Sequence, residues 1–529
     1  MSKVPVLFDV NARSGKPASG SADFPDMSDR LDFMNRFGIG RALVWNVESD
    51  QNHAGASNRA LAARIRATPG ARGRIVPAFS VSGLMPYEAG GIDGLAALMK
   101  AEQTRALRFV NVFGRLTLMQ LEPVMRKLRR LRPFLVLRHD QAASADLLEF
   151  TALFPDIPVV LTEVMWGPTI TVFELMRRRD NILVDNSWLH TCGAIELAVK
   201  RFGAGRLVFG TGSKSHNGAA IAALARADIT EAERRLIACG NLERLAGLKP
   251  GKPVAAAVPA GNTLWPRYLE GKPVGVDTVD AHGHLGPSGG YVLEAQNEEP
   301  QIPLALKTMD AAGIRTMIIS GIPALLGAPA EGNDLLEMQL KPVVDRFQGY
   351  VAFNPFYAAE LVPHLSRYFA GPVYAGFKTL CDYWRVRIDD PRFAPMWAYA
   401  NKHRLPVLNH TWDGPYDSPA LFEKIVGRYP NVAFLLGHSG GGNGGRREAV
   451  ELARKHKNVY LEWCGSFGSS IPWEETLREV GPGRVVFGTD AMAHDINWEL
   501  GRLLSLNVPD EVLIPILGGT MRKILARRR

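Results

Sequence analysis

The chain has 529 residues, 46% of them hydrophobic and 22% charged, with a formal net charge of +9. That length exceeds one ordinary domain and predicts two of about 250 residues each. The composition excludes a fibrous or disordered chain, and the absence of any run of ~18 apolar residues argues against a membrane span.

Basic residues are dispersed, apart from "ARRR" at the end, which fits a solvated surface or a field attracting anionic substrates better than nucleic acid. The opening "MSKVPVLFDV" shows no secretory pattern. Cys192, Cys239, Cys381 and Cys464 lie far apart with no CxxC pair, so neither disulfides nor a structural zinc site is expected. A reducing, cytoplasmic setting is the expectation.

In chain order, the first strand ends in "FDVNARSG" (Phe8 to Gly15). Short Val/Ile/Leu-rich runs then alternate with helical stretches. "ALRFV", "FLVLRHD", "FPDIPVVLTE" and "GAGRLVFGTG" each carry a polar residue at the strand end. From Val279 the same series returns as "VDAHGHLG", "GFKTL", "LPVLNHT", "YPNVAFLLGH" and "GPGRVVFGTD". Asp9 falls on Asp280, an offset of 271, and Gly212 falls on Asp490, an offset of 278. The chain therefore reads as an internal duplication. The predicted domains are 1–248 and 275–529, joined by a Pro/Ala/Gly-rich linker at 249–274. Near-continuous apolar strands alternating with helices predict two tandem (β/α)8 TIM barrels of the α/β class, with functional side chains at the C-terminal strand ends.

The second copy gathers its chemistry at those ends. His282 and His284 flank Gly283, so both imidazoles can point to one face. Lys378, His410, His438 and Asp490 end later strands. Neutral imidazoles and a carboxylate suit Zn²⁺ or a similar divalent ion with a position left for water, whose proton Asp490 could take. Beyond Lys378, "CDYWRVRIDD" supplies Arg385 and Arg387, one of which could meet a substrate carboxylate. Trp412 is a candidate pocket wall. "GHSGGGNGGRRE" matches no nucleotide motif and reads as a flexible loop, with Arg446 and Arg447 opening a helix and available to an anion. His364, His403 and His456 read as structural. His494 reads the same way, yet lies close enough to Asp490 to line the pocket.

The ordered set "D-x-H-x-H", "GHSGG" and "FGTD" (Asp280 to His284, Gly437 to Gly441, Phe487 to Asp490) resembles the amidohydrolase superfamily. Its nearest branch is the amidohydrolase-related group, which holds metal hydrolases, lactonases and non-oxidative decarboxylases of the aminocarboxymuconate-semialdehyde and γ-resorcylate types. The resemblance implies that His282, His284, His410 and Asp490 hold one divalent metal: zinc first, with manganese or iron as alternatives. It implies that His438 polarises the substrate. Lys378 would either bind substrate or, carbamylated, bridge a second metal.

The expected activity is hydrolysis of an amide, lactone or ester bond in a small, anionic substrate. Metal-dependent decarboxylation is the enzyme alternative, and a non-catalytic metal-binding scaffold or sensor the other. In the first copy the counterparts are Asn11, Arg13, Arg108, His139, Glu163 and Gly212. With one histidine left and arginines in place of ligands, this copy is expected to be catalytically dead. It would pack on the active barrel as an intrachain pseudo-dimer, with further oligomerisation open and no other macromolecular partner implied. An anion-binding role for its arginine-lined mouth is the weaker reading.

Overall fold

The computed structural model describes residues 6–18, 22–111, 114–286, 301–465 and 468–528. The chain divides into two compact units, residues 1–258 and 259–529. In the first, β1 (Leu7–Ser14), β2 (Ile39–Asn46) and β3 (Ile75–Pro77) form one parallel run. A second parallel run holds β4 (Phe79–Val81), β5 (Ala106–Phe109), β6 (Phe134–Arg138), β7 (Val159–Thr162), β8 (Ile182–Asp185) and β9 (Leu207–Val208). Only Ala78 separates β3 from β4, and its N–H donates to Val44 O at 2.9 Å, so the two are halves of one barrel strand. Val10 N–H donates to Phe209 O at 2.9 Å and closes the ring.

The second unit is one eight-stranded parallel sheet in sequential order. Its strands are β10 (Thr278–Leu285), β11 (Ile314–Gly321), β12 (Phe347–Ala352), β13 (Tyr374–Thr379), β14 (Pro406–His410), β15 (Ala433–Gly437), β16 (Val459–Glu462) and β17 (Val485–Val486). Ala281 N–H donates to Phe487 O at 2.9 Å, the counterpart of the closure in the first unit. The fold is thus two tandem (β/α)8 barrels. Among the described residues no helix is long and apolar enough to cross a membrane.

The period-2 alternation of the strands places every second residue inside each barrel. Phe8, Val10, Phe134, Val136, Val160 and Val208 fill the first, closed from below by Leu242 and Leu245 of the terminal helix. Val279, Ala281, Ile318, Leu408, Leu435 and Val486 fill the second, closed by Met521 and Ile524. A π-helical turn precedes that closing helix in both copies, at Leu236–Gly240 and Pro515–Gly519.

The repeated Asp and "FGT" are parts of one latch. Asp280 accepts from the Thr489 hydroxyl, from Thr489 N at 3.1 Å and from His282 N at 3.1 Å, tying first strand to last. Asp9 does the same with the Thr211 hydroxyl, Thr211 N at 3.0 Å and Asn11 N at 2.9 Å. The Asp is therefore kept where the histidines of the second copy are replaced in the first, because it closes the barrel.

The stretch read as a linker is more ordered than its composition suggests. Arg41 donates to Lys249 O and Ala257 N to Asn35 O, which ties its first part to the first unit. Residues 259–274 belong to the second unit: a short helix, Leu264–Leu269, buries Trp265 and Tyr268, and Asn262 donates to Leu504 O at 2.9 Å. Two large aromatic side chains outweigh the surrounding Pro and Gly. All four cysteines are buried, and none is in a disulfide.

Candidate metal centre

Parallel strands deliver His282, His284, Lys378 and His410 to one end of the second barrel, while His438 and Asp490 follow β15 and β17 directly. His438 (φ 62°), Ser439 (φ 48°) and Asp490 (φ 59°) adopt left-handed backbone, an unfavourable conformation for residues with a Cβ that tertiary contacts must hold. In the first barrel the counterparts keep it, Glu163 at φ 60° and Gly212 at φ 66°. The backbone of the site is thus part of the fold and outlasts its chemistry.

The Asp490 carboxylate lies 2.9 Å from His284 Nε2, 3.6 Å from His282 Nε2 and 3.8 Å from His494 Nε2. Burial pushes its carboxyl up, but the surrounding imidazoles outweigh that and hold it well below the usual carboxylate range. His282 is fully buried, which, with Lys378 beside it, depresses its pKa well below the ordinary value and leaves the ring neutral. The same holds for His438, through burial and the neighbouring His410. Lys378 Nζ sits 2.7 Å from His282 Nε2, and burial lowers its pKa.

Two buried carboxylates orient these rings. Glu462 Oε2 lies 3.1 Å from His282 Nδ1, and Asp417 Oδ2 lies 2.7 Å from His410 Nδ1. A carboxylate at Nδ1 fixes the proton there and leaves Nε2 as the lone pair. Glu462 also accepts from His438 N at 3.0 Å and Cys464 N at 2.9 Å. Gly488 of "FGTD" has no Cβ because one would collide with Glu462, as one at Gly210 would collide with Asp185.

Ligand-type atoms of His282, His284 and Asp490 converge within 4.8 Å of one another, as do those of His282, His438, Glu462 and Cys464. Neutral imidazoles beside an ionised carboxylate are a donor set that fits a divalent cation. His410 is outside both groups; it joins the site through its ring, 4.9 Å from that of His438. Trp412 stacks on His410 at 6.2 Å, and Tyr383 meets the same ring edge-on at 5.7 Å. Gly441 (φ 68°) permits this, since a Cβ would collide with the Trp412 indole.

Several expected residues are elsewhere. Arg385 stands largely exposed beside Asp382 at 4.0 Å, and Arg387 pairs with Asp389 at 2.8 Å, so neither is brought to the cluster. The turn after the short helix Cys381–Trp384 carries both away from the barrel axis. Arg446 is not available to an anion: it is fully buried, its guanidinium 3.9 Å over the Trp473 ring and donating to Ser439 O at 3.3 Å. That bond braces the backbone next to His438. His494, by contrast, is buried beside Asp490. Sequence reasoning missed Glu462, Cys464 and Asp417. The first two had a signal, since "NVYLEWCG" repeats "NILVDNSW" with Glu462 on Asp185 and Cys464 on Ser187.

The family model described as amidohydrolase (Amidohydro_2) matches residues 20–248 and again 279–527. The chain belongs to the amidohydrolase family, as two tandem copies of its barrel, and so falls among metal-dependent enzymes of the amidohydrolase type. No curated protein matches it. Among solved structures it is similar to 5-carboxyvanillate decarboxylase from Sphingomonas paucimobilis, at 13% identity over 47% of this chain and 99% of that one, TM-score 0.39. It is also similar to 2,6-dihydroxybenzoate decarboxylase from Rhizobium, at 17% over 47% and 99%, TM-score 0.38. A third is dihydroxybenzoic acid decarboxylase from Polaromonas sp. JS666, with bound manganese and 2-nitroresorcinol, at 17% over 47% and 97%, TM-score 0.37.

Proposed function

We propose that the second barrel is a metal-dependent hydrolase that cleaves an amide, lactone or ester bond in a small, anionic molecule. The observation that carries this reading is the Asp490 carboxylate, kept ionised within 2.9 to 3.8 Å of three histidines. His282, His284, His410 and Asp490 would hold one divalent ion, zinc before manganese or iron. Such an ion supplies Lewis acidity and makes hydroxide accessible near neutral pH.

Asp490 accepts the proton of the attacking water at a carboxylate oxygen and later returns it to the leaving group. A neutral His438 donates from Nδ1 to Cys464 O at 3.2 Å and so offers Nε2 as an acceptor; it would polarise the oxygen on which negative charge develops only after taking up a proton there. Lys378 faces the same space as a substrate-carboxylate partner. A carbamate bridging a second ion is the lesser role, though burial favours the neutral amine it requires.

Trp412 and Tyr383 beside His410 favour a second reading, decarboxylation of a hydroxy-aromatic acid, because aromatic side chains near the site suit a planar substrate. One panel tests both: lactones, N-acyl amino acids and hydroxybenzoates with metal-loaded protein, followed by acid release and by CO₂. Ring opening or deacylation that disappears in Asp490→Asn supports the hydrolase. CO₂ release alone moves the assignment to the second reading. No turnover of any class would leave a metal-binding scaffold.

The first barrel fits a non-catalytic role: Asn11 donates to Glu163 Oε1 at 3.3 Å and Arg13 lies 3.7 Å from it, where the other barrel converges on Asp490.

A further inference from the structure

The mouth of the first barrel holds a cavity of about 280 Å³ whose walls include Arg13, Trp45, Asp50, Arg108, Arg138 and Glu163. Its charges do not pair evenly. Arg13 is taken by Asp23 at 2.7 Å and by Glu163 at 3.7 Å. Arg138 is taken by Asp140 at 2.5 Å. Glu163 is further engaged by Asn11.

Arg108 remains. It is 4% exposed and stands where the second barrel carries Lys378. Its one hydrogen bond goes to the neutral Thr162 Oγ1 at 3.3 Å, its Nε has no partner, and no described carboxylate lies within 4.0 Å of it. Its guanidinium lies 4.8 Å over the Trp45 ring. Trp45, 6% exposed, likewise leaves its indole Nε1 without a partner.

A buried guanidinium with no carboxylate in contact is costly, even with Glu163 and Asp50 acting on it at longer range, and so is each buried donor without an acceptor. Both residues line one cavity, where the Arg108 guanidinium calls for an anionic acceptor. We propose that this cavity binds a small monocarboxylate, whose oxygens pair with Arg108 and accept from Trp45. Asp50, Asp140 and Glu163 are also on its wall, and their charge disfavours a dianion such as phosphate. The volume limits the ligand to a molecule about the size of benzoate. This inference does not depend on what the second barrel catalyses.

The test is isothermal titration of the full chain with benzoate and with inorganic phosphate. Wild type, Arg108→Met, Arg108→Lys, Trp45→Phe and the double variant His282→Ala/His284→Ala are compared, the last removing binding at the second barrel. The double variant is expected to keep a benzoate site. Arg108→Met should weaken that site about 10- to 100-fold and Trp45→Phe by about 3- to 10-fold, with Arg108→Lys in between. Should Arg108→Met fail to fold, the other two substitutions carry the comparison. Binding lost in the histidine double variant but indifferent to Arg108 and Trp45 would overturn the proposal. So would phosphate binding more tightly than benzoate, or no heat with either.

Discussion

Replacing Glu462 with Gln tests the orientation of His282 with almost no change of shape. Glu462 is fully buried, and its two oxygens accept from His282 Nδ1 (3.1 Å), His438 N (3.0 Å), Cys464 N (2.9 Å) and the Cys464 thiol (3.3 Å). Burial raises its pKa, and these donors are what favour the anion. An amide has only one acceptor oxygen. If that oxygen stays on the Cys464 N–H, the new NH₂ faces three donors, His282 Nδ1, His438 N–H and the Cys464 thiol. Either one of them is orphaned, at about 1–3 kcal/mol, or His282 moves its proton to Nε2 and loses the lone pair a metal requires. The second route predicts a roughly 10- to 100-fold loss of metal affinity, which corresponds to about 1.4–2.7 kcal/mol. Competition titration with a chelator of known affinity measures the loss of metal affinity, and denaturant unfolding of the metal-free chain the cost of an orphaned donor. Unchanged metal affinity in a folded Glu462→Gln protein would refute the orienting role. Loss of stability without loss of affinity would reduce Glu462 to a structural acceptor for His438 and Cys464.

Two further outcomes follow from the same geometry. Gly441→Ala forces a side chain into left-handed backbone and against the Trp412 indole, so it should lower stability by about 2 kcal/mol. It should also raise KM for aromatic substrates more than for aliphatic ones; equal effects would remove Trp412 from the pocket wall. In the first barrel, burial pushes the Asp185 carboxyl up to about 8 from an ordinary 3.8, and its Oδ2 has no hydrogen-bond partner. Between those values the folded state holds a proton that the unfolded state has released. The Asp185 contribution is therefore fully present below the unfolded value and is lost as pH rises toward 8. Asp185→Asn should thus gain on wild type from pH 5 to pH 8, by at most about 1.4 kcal/mol per unit, and level off above. A pH-independent difference in urea melts would contradict this.

The sequence by itself determined the duplication, the barrel class and the six polar residues that the strand ends of the second barrel present. These depend on local signals: two-residue alternation, buried apolar runs, and a polar residue at each strand end. His282 and His284 were legible because a strand sends residues i and i+2 to one face. The latch Asp280–Thr489 was visible as a repeated motif, but its role was not, because its partners are 209 residues apart.

Tertiary structure alone decided what surrounds those residues. Only closure of the barrel brings Glu462 under His282, 180 residues away in the chain, and only packing of successive connections sets Arg446 over Trp473. Conversely, a single turn after β13 carries Arg385 out to solvent, beside Asp382. It also decided the charge balance in the first barrel, where the pairing of Arg13 and Arg138 leaves Arg108 buried with no carboxylate in contact. Which residues a strand end offers is a local matter of period and composition. Which of them share a hydrogen bond or a charge depends on which strands become neighbours, and that is fixed only when eight of them form a ring.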